Sequence, residues 1–316
     1  MHHFYQTVAN RLDKGQSCIV QTNLDTGEKT LCESGEEGVF GNIYREIFYP
    51  RPTLVLCGGG HVSAMLCPLA AQLDFDVTVM DDRAEFANRT RFPTAKTVCC
   101  APFDEALANV AYTDSSYFAI VTRGHLQDKL CLTYILNRPY AYVGMIGSRR
   151  KNGMLRDELL QEGYTAEQFA RVYAPIGEDI GAESVAEIAV SIAAQLVRVR
   201  HTLSRGVPAQ REVLAALCGG KARVLATVIQ KKGSAPRGTS ARLVLLQDNQ
   251  IVGTVGGGFA ESQVIEEAKK LTIGELPKRL HFAMTNADAG SAGMICGGEI
   301  EVLLERVDAL GCLSSH

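Results

Sequence analysis

The chain lacks several signals that would assign a functional class at once. None of its ten cysteines forms a C-x-x-C pair, so the spacing typical of zinc and iron–sulfur sites is absent. No apolar run reaches the length of a membrane span, and residues 1–20 lack the apolar core of a signal peptide. The net charge is only -3, without a block of like charge. We therefore expect a cytoplasmic protein that binds neither nucleic acid nor membranes and has no metal site.

The chain has 316 residues, of which 46% are hydrophobic. That length and composition suffice for two domains, each with its own core. In a reducing compartment, most of the cysteines should be buried as small apolar residues.

The first of two glycine triplets, residues 58–60, lies between a predicted strand, TLVLC, and a predicted helix. A second apolar strand ends at Asp81, 21 residues after Gly60. This order of strand, glycine turn, helix, strand and acid is typical of a Rossmann domain, although Ser63 replaces the third fingerprint glycine. Asp81 would accept a hydrogen bond from a ribose hydroxyl, or it would merely cap the strand end. Arg83 would alternatively bind a phosphate, so the residues leave the nucleotide open.

Further strands are predicted at 97–100, 118–122, 141–146 and 171–174, separated by helical stretches. Crossovers of this kind produce a doubly wound parallel sheet. From Ser184 onward, apolar residues recur with a helical period, and Ser184 with Glu187 forms a capping box. The predicted fold class is α/β, with a Rossmann-like doubly wound parallel sheet and a second, α+β domain.

Ligands of such sheets bind outside the carboxyl ends of the strands. Four loops converge there: GGGHV, TRGH, IGSRRK and APIGEDIG. Glycine amides and several cations in one crevice predict a phosphorylated or diphosphate ligand. The alternatives are a solvated helical turn at 149–151 and loop histidines that bind backbone. The candidate residues are Gly58, Gly59, Gly60, His61, Asp81, Arg83, Thr122, Arg123, Gly124, His125, Gly147, Ser148, Arg149, Arg150 and Lys151.

The second glycine triplet, residues 256–258, also lies between a predicted strand and a predicted helix. It follows a β-hairpin instead of opening a βαβ unit, and no strand ending in an acid comes after it. The triplet is therefore a poor dinucleotide fingerprint. It is a good candidate for an anion nest, because consecutive glycine amides can point at one oxyanion.

The motifs GSAPRG, GTVGGGFAE and GMICGGEIEVLLE resemble those of the XdhC/CoxI family, maturation factors for molybdenum hydroxylases such as xanthine dehydrogenase. LVLCGGGHV, DDRAEF, TRGH, IGSRRK and APIGEDIGAES resemble the Rossmann domain of that family, so the resemblance covers about residues 50–310. Family members commonly place the glycine-triplet domain first, whereas here the Rossmann domain comes first. We predict a Rossmann-like domain at 50–206 and an XdhC/CoxI-type domain at 207–316, with segment 1–49 packed against the latter. The alternative is that 1–49 is an addition to the Rossmann sheet.

The resemblance implies that the chain binds the molybdenum cofactor, either molybdopterin or its dinucleotide, while its metal ligands are set. Glycine amides and Arg237 would hold the phosphate tail. Glu261 would bind a pterin edge or only favour the helix dipole. Cys296 would contact sulfur or metal, or be an ordinary buried cysteine. The residues that match the family motifs are Gly233, Ser234, Arg237, Gly256, Gly257, Gly258, Glu261, Cys296, Gly297 and Gly298.

Three functions compete at this point. The first is a non-catalytic chaperone that protects the cofactor, supports its sulfuration and delivers it to an apo molybdenum hydroxylase. The second is an NAD(P)-dependent oxidoreductase with NAD(P) or another nucleotide in the Rossmann crevice, and the third is a sulfuration or nucleotidyl-transfer enzyme. A cysteine desulfurase and a cofactor nucleotidyltransferase are further candidate partners. A homodimer is the expected assembly, because closed symmetric pairs are the commonest.

Overall fold

A computed structural model describes residues 1–203, 210–233, 241–283 and 298–307 of the chain. The chain divides into two compact units. One is the continuous segment Arg51–Pro208, and the other combines Met1–Pro50 with Ala209–His316. The second of these units is therefore built from both ends of the chain.

The N-terminal segment contributes a helix and a small antiparallel sheet to its unit. The elements are α1 (His2–Asp13), β1 (Cys18–Asn23), β2 (Lys29–Cys32), β3 (Gly38–Phe40) and β4 (Ile43–Phe48). The strands lie in the order β2-β1-β4-β3. Buried and half-buried residues alternate along β1, as in a strand with one face on a core. Strands β1 and β2 pair antiparallel on either side of the turn at 25–27.

The continuous unit is built on a six-stranded parallel sheet. Its strands are β5 (Thr53–Cys57), β6 (Asp76–Asp81), β7 (Thr97–Cys100), β8 (Ser116–Ile120), β9 (Tyr142–Met145) and β10 (Val172–Tyr173). Its helices are α2 (His61–Gln72), α3 (Phe103–Ala108), α4 (His125–Leu136), α5 (Arg149–Gln161), α6 (Ala166–Ala170) and α7 (Val185–Thr202). The order β7-β6-β5-β8-β9-β10 is that of a Rossmann sheet, which confirms the prediction.

The sheet is buried on both faces, so its strands read as apolar runs in the sequence. Leu54 and Leu56 of β5 pack on the face covered by α2 and α7, whereas Val55 packs on the face covered by α3, α4 and α5. Helix α7 begins with the predicted capping box of Ser184 and Glu187. Helix α2 contains Pro68 and runs through it to Gln72.

The C-terminal segment adds a five-stranded antiparallel sheet to the unit that contains the N-terminal segment. The elements are α8 (Arg211–Cys218), β11 (Ala222–Gly233), β12 (Arg242–Leu246), β13 (Ile251–Gly253), α9 (Gly258–Lys270), β14 (Lys278–Ala283) and β15 (Gly298–Arg306). The strand order is β13-β12-β11-β15-β14. Helices and antiparallel strands confirm the second, α+β domain.

The two ends of the chain share one core. Val20 and Phe48 pack in the same buried cluster as Leu225 and Val244. Two buried ion pairs also join them. Lys29 Nζ lies 3.0 Å from Glu305 Oε2, and Arg242 donates to Glu46. Charges at such depth are tolerated only when both partners are present, so the pairs specify how the two segments fit together.

The pair of Glu46 and Arg242 supplies a stability test. The two side chains are 1% and 7% exposed, and the guanidinium lies 4.2 Å from the centroid of the Phe48 ring. Glu46→Ala leaves a buried cation without its partner, so the free energy of unfolding should fall by about 3–5 kcal/mol. Urea unfolding followed by circular dichroism measures the loss.

A double variant, Glu46→Leu with Arg242→Met, is the matched control. It removes both charges and keeps apolar volume, so it should be less destabilised than Glu46→Ala. A loss below about 1 kcal/mol in Glu46→Ala, the value of an exposed pair, would contradict a structural role for this pair.

Candidate functional site

The Rossmann crevice opens between β5 and β8, where the strand order reverses. The N–H of Gly58 donates to Met80 O at 2.8 Å, and the N–H of Val121 donates to Cys57 O at 2.9 Å. The turns after β5 and β8 therefore lie side by side. This is the switch point at which open parallel sheets bind their ligands.

The three glycines of the first triplet differ in what surrounds them. A Cβ at Gly58 would lie 2.4 Å from Val121 O, and one at Gly59 would lie 2.1 Å from Phe86 O. Only glycine fits at these two positions. At Gly60 a Cβ would meet nothing within 4 Å, and φ is -67°. Gly60, the N-cap of α2, is thus the glycine that leaves room for a ligand.

Ser63 closes the glycine turn from inside. It is fully buried, and its hydroxyl donates to Gly58 O at 2.5 Å. A glycine at this fingerprint position would have no such hydroxyl. The departure from the fingerprint therefore replaces close helix packing with a hydrogen bond that fixes the turn.

Asp81 is bound within the protein on every side. Its carboxylate accepts from the Gly59 N–H at 2.8 Å, from the Arg83 N–H at 3.1 Å, and from Arg83 Nε and Nη2 at 2.9 and 3.1 Å. Burial opposes ionisation, but the hydrogen bonds from Arg83 and Gly59 outweigh it and hold the pKa of Asp81 below its usual value. Asp81 is 1% exposed, so its main interaction is with the glycine turn and Arg83.

A cluster of two arginines and one aromatic ring lies beside this turn. The guanidinium of Arg83 stacks on the ring of Phe86, 3.8 Å from its centroid, and the guanidinium of Arg91 lies 5.3 Å from the same centroid. Arg91 Nε donates to Gly59 O at 2.8 Å. We call Arg83, Phe86 and Arg91 the arginine cluster.

Asp128 joins the two loops on the other side of the crevice. It accepts from the Thr122 hydroxyl at 2.6 Å and from Lys151 Nζ at 2.5 Å, and its side chain is fully buried. Thr122 also donates to Gly124 O at 3.1 Å. The predicted anion-binding lysine is therefore paired with a carboxylate.

Three other candidate residues of the crevice also lie near acids. Arg123 Nη2 lies 3.0 Å from Asp82 Oδ2, and His125 Nε2 lies 3.2 Å from Glu158 Oε2. Arg149 lies 3.8 Å from Asp179, with both side chains almost fully exposed, so that pair contributes little. Of the four basic residues in these loops, Arg123 and Lys151 are thus paired with acids, whereas Arg149 and Arg150 keep exposed charges. His61 and Arg150 lie exposed at the first turns of α2 and α5.

The loop before α5 is held by its own backbone and caps. Ser148 accepts from the Lys151 N–H at 3.2 Å, which confirms it as the N-cap. Gly147 has φ +142°, and a Cβ there would lie 2.7 Å from Asn152 Oδ1. The neighbouring segment 174–181 is anchored through Gly177, whose N–H donates to Gln195 at 3.0 Å.

In the other unit, the second glycine triplet surrounds a carboxylate. Glu261 Oε2 accepts from the N–H groups of Val255 and Gly257, each at 3.1 Å, and from the Thr254 hydroxyl. The triplet Gly256, Gly257 and Gly258 has φ values of 134°, 77° and 67°, which L side chains rarely adopt. The amides at the second triplet thus bind an oxyanion, and that oxyanion is the protein's own carboxylate, Glu261.

Two family motifs of this unit extend from one end of its sheet. Gly233 ends β11 and pairs with Gly298, which begins β15. Gly253, which precedes the triplet, pairs with Leu243 of β12, and Leu243 pairs with Ala226 in the middle of β11. GSAPRG and ICGG are therefore attached to adjacent strand ends. Of the predicted site residues, Ser234, Arg237, Cys296 and Gly297 lie outside the described residues.

Metal ligation and membrane insertion find no support in the described ranges. Within them, no group of His, Cys, Asp and Glu side chains is arranged to hold a metal ion. The helices of the same ranges include none that is long and apolar enough to cross a membrane.

Comparison with known families matches both units. The XdhC Rossmann domain matches residues 54–196, and the XdhC and CoxI family matches residues 216–283. This chain belongs to the XdhC/CoxI family.

Relatives of this XdhC/CoxI member include the protein YqeB of Escherichia coli (strain K12), 33% identical over 167 residues, which are 52% of this chain and 30% of YqeB. A protein of Bacillus subtilis (strain 168) described as a probable subunit of xanthine dehydrogenase is 28% identical over 163 residues, 52% of this chain and 47% of that protein. The match thus spans less than half of either relative. A crystal structure of a xanthine dehydrogenase from Bacillus halodurans is 23% identical with a TM-score of 0.55, covering 63% of this chain and 68% of that one, which shows a shared fold.

Five residues of this XdhC/CoxI chain contribute to the crevice but were not predicted from sequence. Asp82 and Asp128 could have been suspected, because one follows Asp81 directly and the other lies in the first turn of α4, where an acid suits the helix dipole. No local pattern marks the others, since their contacts come from distant segments. The five are Asp82, Phe86, Arg91, Asp128 and Glu158.

The glycine surroundings predict three different effects of alanine. Gly60→Ala should change the free energy of unfolding by at most about 1 kcal/mol, because Ala is only a poorer N-cap there. Gly58→Ala and Gly59→Ala force a Cβ onto a carbonyl oxygen and should lose about 2–4 kcal/mol. Urea unfolding of the three variants checks this order. Equal losses at all three positions would contradict the open surroundings of Gly60.

The lowered pKa of Asp81 predicts that the free energy of unfolding depends on pH. Its pKa is lowered in the folded state, so ionised Asp81 stabilises the fold above the unfolded-state pKa of about 3.9. That contribution is lost as pH falls through the folded-state pKa. The difference in unfolding free energy between wild type and Asp81→Asn should be full at neutral pH and shrink below about pH 4. Denaturant titrations at several pH values measure this difference. A difference that does not change with pH would refute a stabilising role for the ionised Asp81 carboxylate.

Proposed function

We propose that this chain is an accessory factor for a molybdenum hydroxylase of the xanthine dehydrogenase type. It binds the molybdenum cofactor, as molybdopterin or its dinucleotide, protects it, supports its sulfuration and delivers it to the apo hydroxylase. Membership of the XdhC/CoxI family supports the accessory role. The Bacillus subtilis relative, described as a probable subunit of xanthine dehydrogenase, supports the choice of hydroxylase.

One observation carries the proposal that the cofactor binds in the XdhC/CoxI-type domain. Gly233 pairs with Gly298, so the motifs that follow one and precede the other are attached to adjacent strand ends. The glycine triplet follows β13 of the same sheet, whose last residue, Gly253, pairs with Leu243 of β12. Two motifs that are far apart in sequence thus start from adjacent strand ends, as a composite site requires, and the triplet belongs to the same sheet.

The glycine nest suits the phosphate tail of the cofactor. Val255 and Gly257 already direct their amides at one carboxylate oxygen, so the nest is built for an oxyanion. A phosphate would take this place once Glu261 withdraws. In this proposal Glu261 is the internal competitor of the cofactor, and Arg237 supplies the guanidinium fork for the tail.

Cys296 is the proposed contact to sulfur or metal. It is the cysteine of the family motif ICGG, and a thiolate is a soft ligand that can also carry sulfur. A cysteine desulfurase would supply the sulfur, and a nucleotidyltransferase would act where the dinucleotide form is used. We propose that the chain works as a homodimer in the cytoplasm.

The Rossmann unit supports nucleotide binding as a second candidate function. Its strand order and the open surroundings of Gly60 are those of a nucleotide-binding crevice. An NAD(P)-dependent oxidoreductase activity would use this crevice.

Maturation of a hydroxylase in cells tests the main proposal. The molybdenum hydroxylase of the same organism is expressed without the chain, with wild-type chain, and with Cys296→Ser. Without the chain, the purified hydroxylase should contain little sulfurated molybdenum. Wild type should restore both hydroxylase activity and the sulfur that cyanide releases as thiocyanate. Cys296→Ser should leave both near the level without the chain, because serine carries no transferable sulfur.

Cys100→Ser is the matched control, since Cys100 is an exposed thiol in the other unit and belongs to no proposed site. It should support maturation as wild type does. Full maturation by Cys296→Ser would refute the sulfur role. Full maturation in the absence of the chain would refute the accessory function.

A further inference from the structure

The carboxylate of Asp81 has no capacity left for a ribose. Each of its oxygens accepts two hydrogen bonds, from Gly59 and Arg83, and a carboxylate has about four acceptor positions in all. Asp81 is also 1% exposed. A ribose hydroxyl could bind there only by breaking the bidentate pair with Arg83, which is a strong interaction. In many Rossmann domains the acid at this position binds an unmodified ribose, but here its acceptor positions are occupied by Gly59 and Arg83.

Arg83 presents the opposite edge of its guanidinium. Nε and one N–H of Nη2 are committed to Asp81, which leaves Nη1 and the second N–H of Nη2. The ring of Phe86 holds the guanidinium plane from one side, at 3.8 Å. The side chain remains 25% exposed. Arg83 is therefore fixed in orientation, with donors still directed outward.

Arg91 adds a second guanidinium in the same place. Its Nε is fixed by Gly59 O, and within the described residues its charge meets no carboxylate in an ion pair. Asp81 is neutralised by Arg83, and Asp82 lies between Arg83, at 3.7 Å, and Arg123, at 3.0 Å. Glu85 is a further nearby acid, and it is exposed. In the part of the chain that the structure describes, Arg91 is thus an uncompensated cation beside the glycine turn.

We propose that the arginine cluster binds a phosphate carried on the ribose of a nucleotide in the Rossmann crevice. The adenosine ribose of a dinucleotide lies at the end of the second strand of the sheet, here β6, where this cluster is. Two adjacent guanidinium groups, with Arg83 still holding free donors, suit a phosphate dianion, and a saturated carboxylate does not suit a free hydroxyl. The crevice therefore selects the 2′-phosphorylated class, NADP(H), over NAD(H). This inference rests on the second candidate function, nucleotide binding in the Rossmann crevice, and not on cofactor delivery.

Binding of two minimal probes tests it. Adenosine 2′,5′-bisphosphate and adenosine 5′-monophosphate differ by one phosphate, and isothermal titration calorimetry of the full chain gives both dissociation constants. The bisphosphate should bind about ten- to hundredfold more tightly, the value of charge-assisted hydrogen bonds. NADPH and NADH, compared by their fluorescence, should show the same preference. The preference should decrease with added salt.

Variants assign the preference to the cluster. Arg91→Gln and Arg83→Gln should each bring the ratio of the two dissociation constants towards one, with a smaller effect on the monophosphate. Arg156→Gln, which removes a positive charge from the exposed surface of α5, should keep the wild-type ratio. Thermal melts show whether each variant is folded. If Arg83→Gln is not folded, the result for Arg91→Gln alone decides the test.

Three results would overturn the inference. The first is equal affinity for the two probes or a preference for the monophosphate. The second is no binding of either probe at millimolar concentration by the folded wild type. The third is a preference that survives in both arginine variants.

Discussion

Backbone packs directly against backbone at the switch point of the Rossmann sheet, and the crevice depends on this contact. Gly58 and Gly59 leave no room for a Cβ, because carbonyl oxygens of two other segments occupy that space. The turn is then fixed by side chains from below, Ser63 through Gly58 O and Asp81 through the Gly59 N–H. These contacts leave the first turn of α2 open at Gly60. One steric constraint thus determines which glycine a ligand can approach and why Asp81, the acid that ends β6, faces inward.

Acids from neighbouring elements pair with two of the four cations in the crevice loops, Arg123 and Lys151. The loops were expected to form a strongly cationic site, since Arg123, Arg149, Arg150 and Lys151 lie in them. Lys151 is instead paired with Asp128, which belongs to the helix after another loop. Such pairs depend on which strand ends are adjacent. The positions of the cations were therefore readable from the sequence, whereas the net charge of the crevice was not.

Sequence patterns predicted the fold better than the sites. Buried parallel strands are apolar along their whole length, and the helix after Ser184 has both a period and a cap, so local residues identify them. Strand β8 nevertheless spans Ser116–Ile120 instead of 118–122, because apolarity continues past its end into Val121. The pairing of Gly233 with Gly298 could not be predicted, since register depends on contacts across 65 residues of sequence. The occupation of the second triplet by Glu261 was missed for another reason, as the acid was interpreted either as a contact to a pterin edge or as a residue that only favours the helix dipole.

The two glycine triplets solve different problems. At the first, steric exclusion shapes the turn and one position faces open space, so a ligand can bind without displacing a protein group. At the second, left-handed backbone collects amides around one oxygen, and Glu261 fills the nest from four residues away. An intramolecular carboxylate competes at high effective concentration and lowers the affinity of the nest for any other anion. Such a low affinity would be a disadvantage for an enzyme that keeps its cofactor. A protein that transfers a cofactor to a partner must release it as well as bind it. The occupied nest is consistent with the delivery role that we propose for the XdhC/CoxI-type domain, and the open surroundings of Gly60 with the nucleotide binding that we propose for the Rossmann crevice.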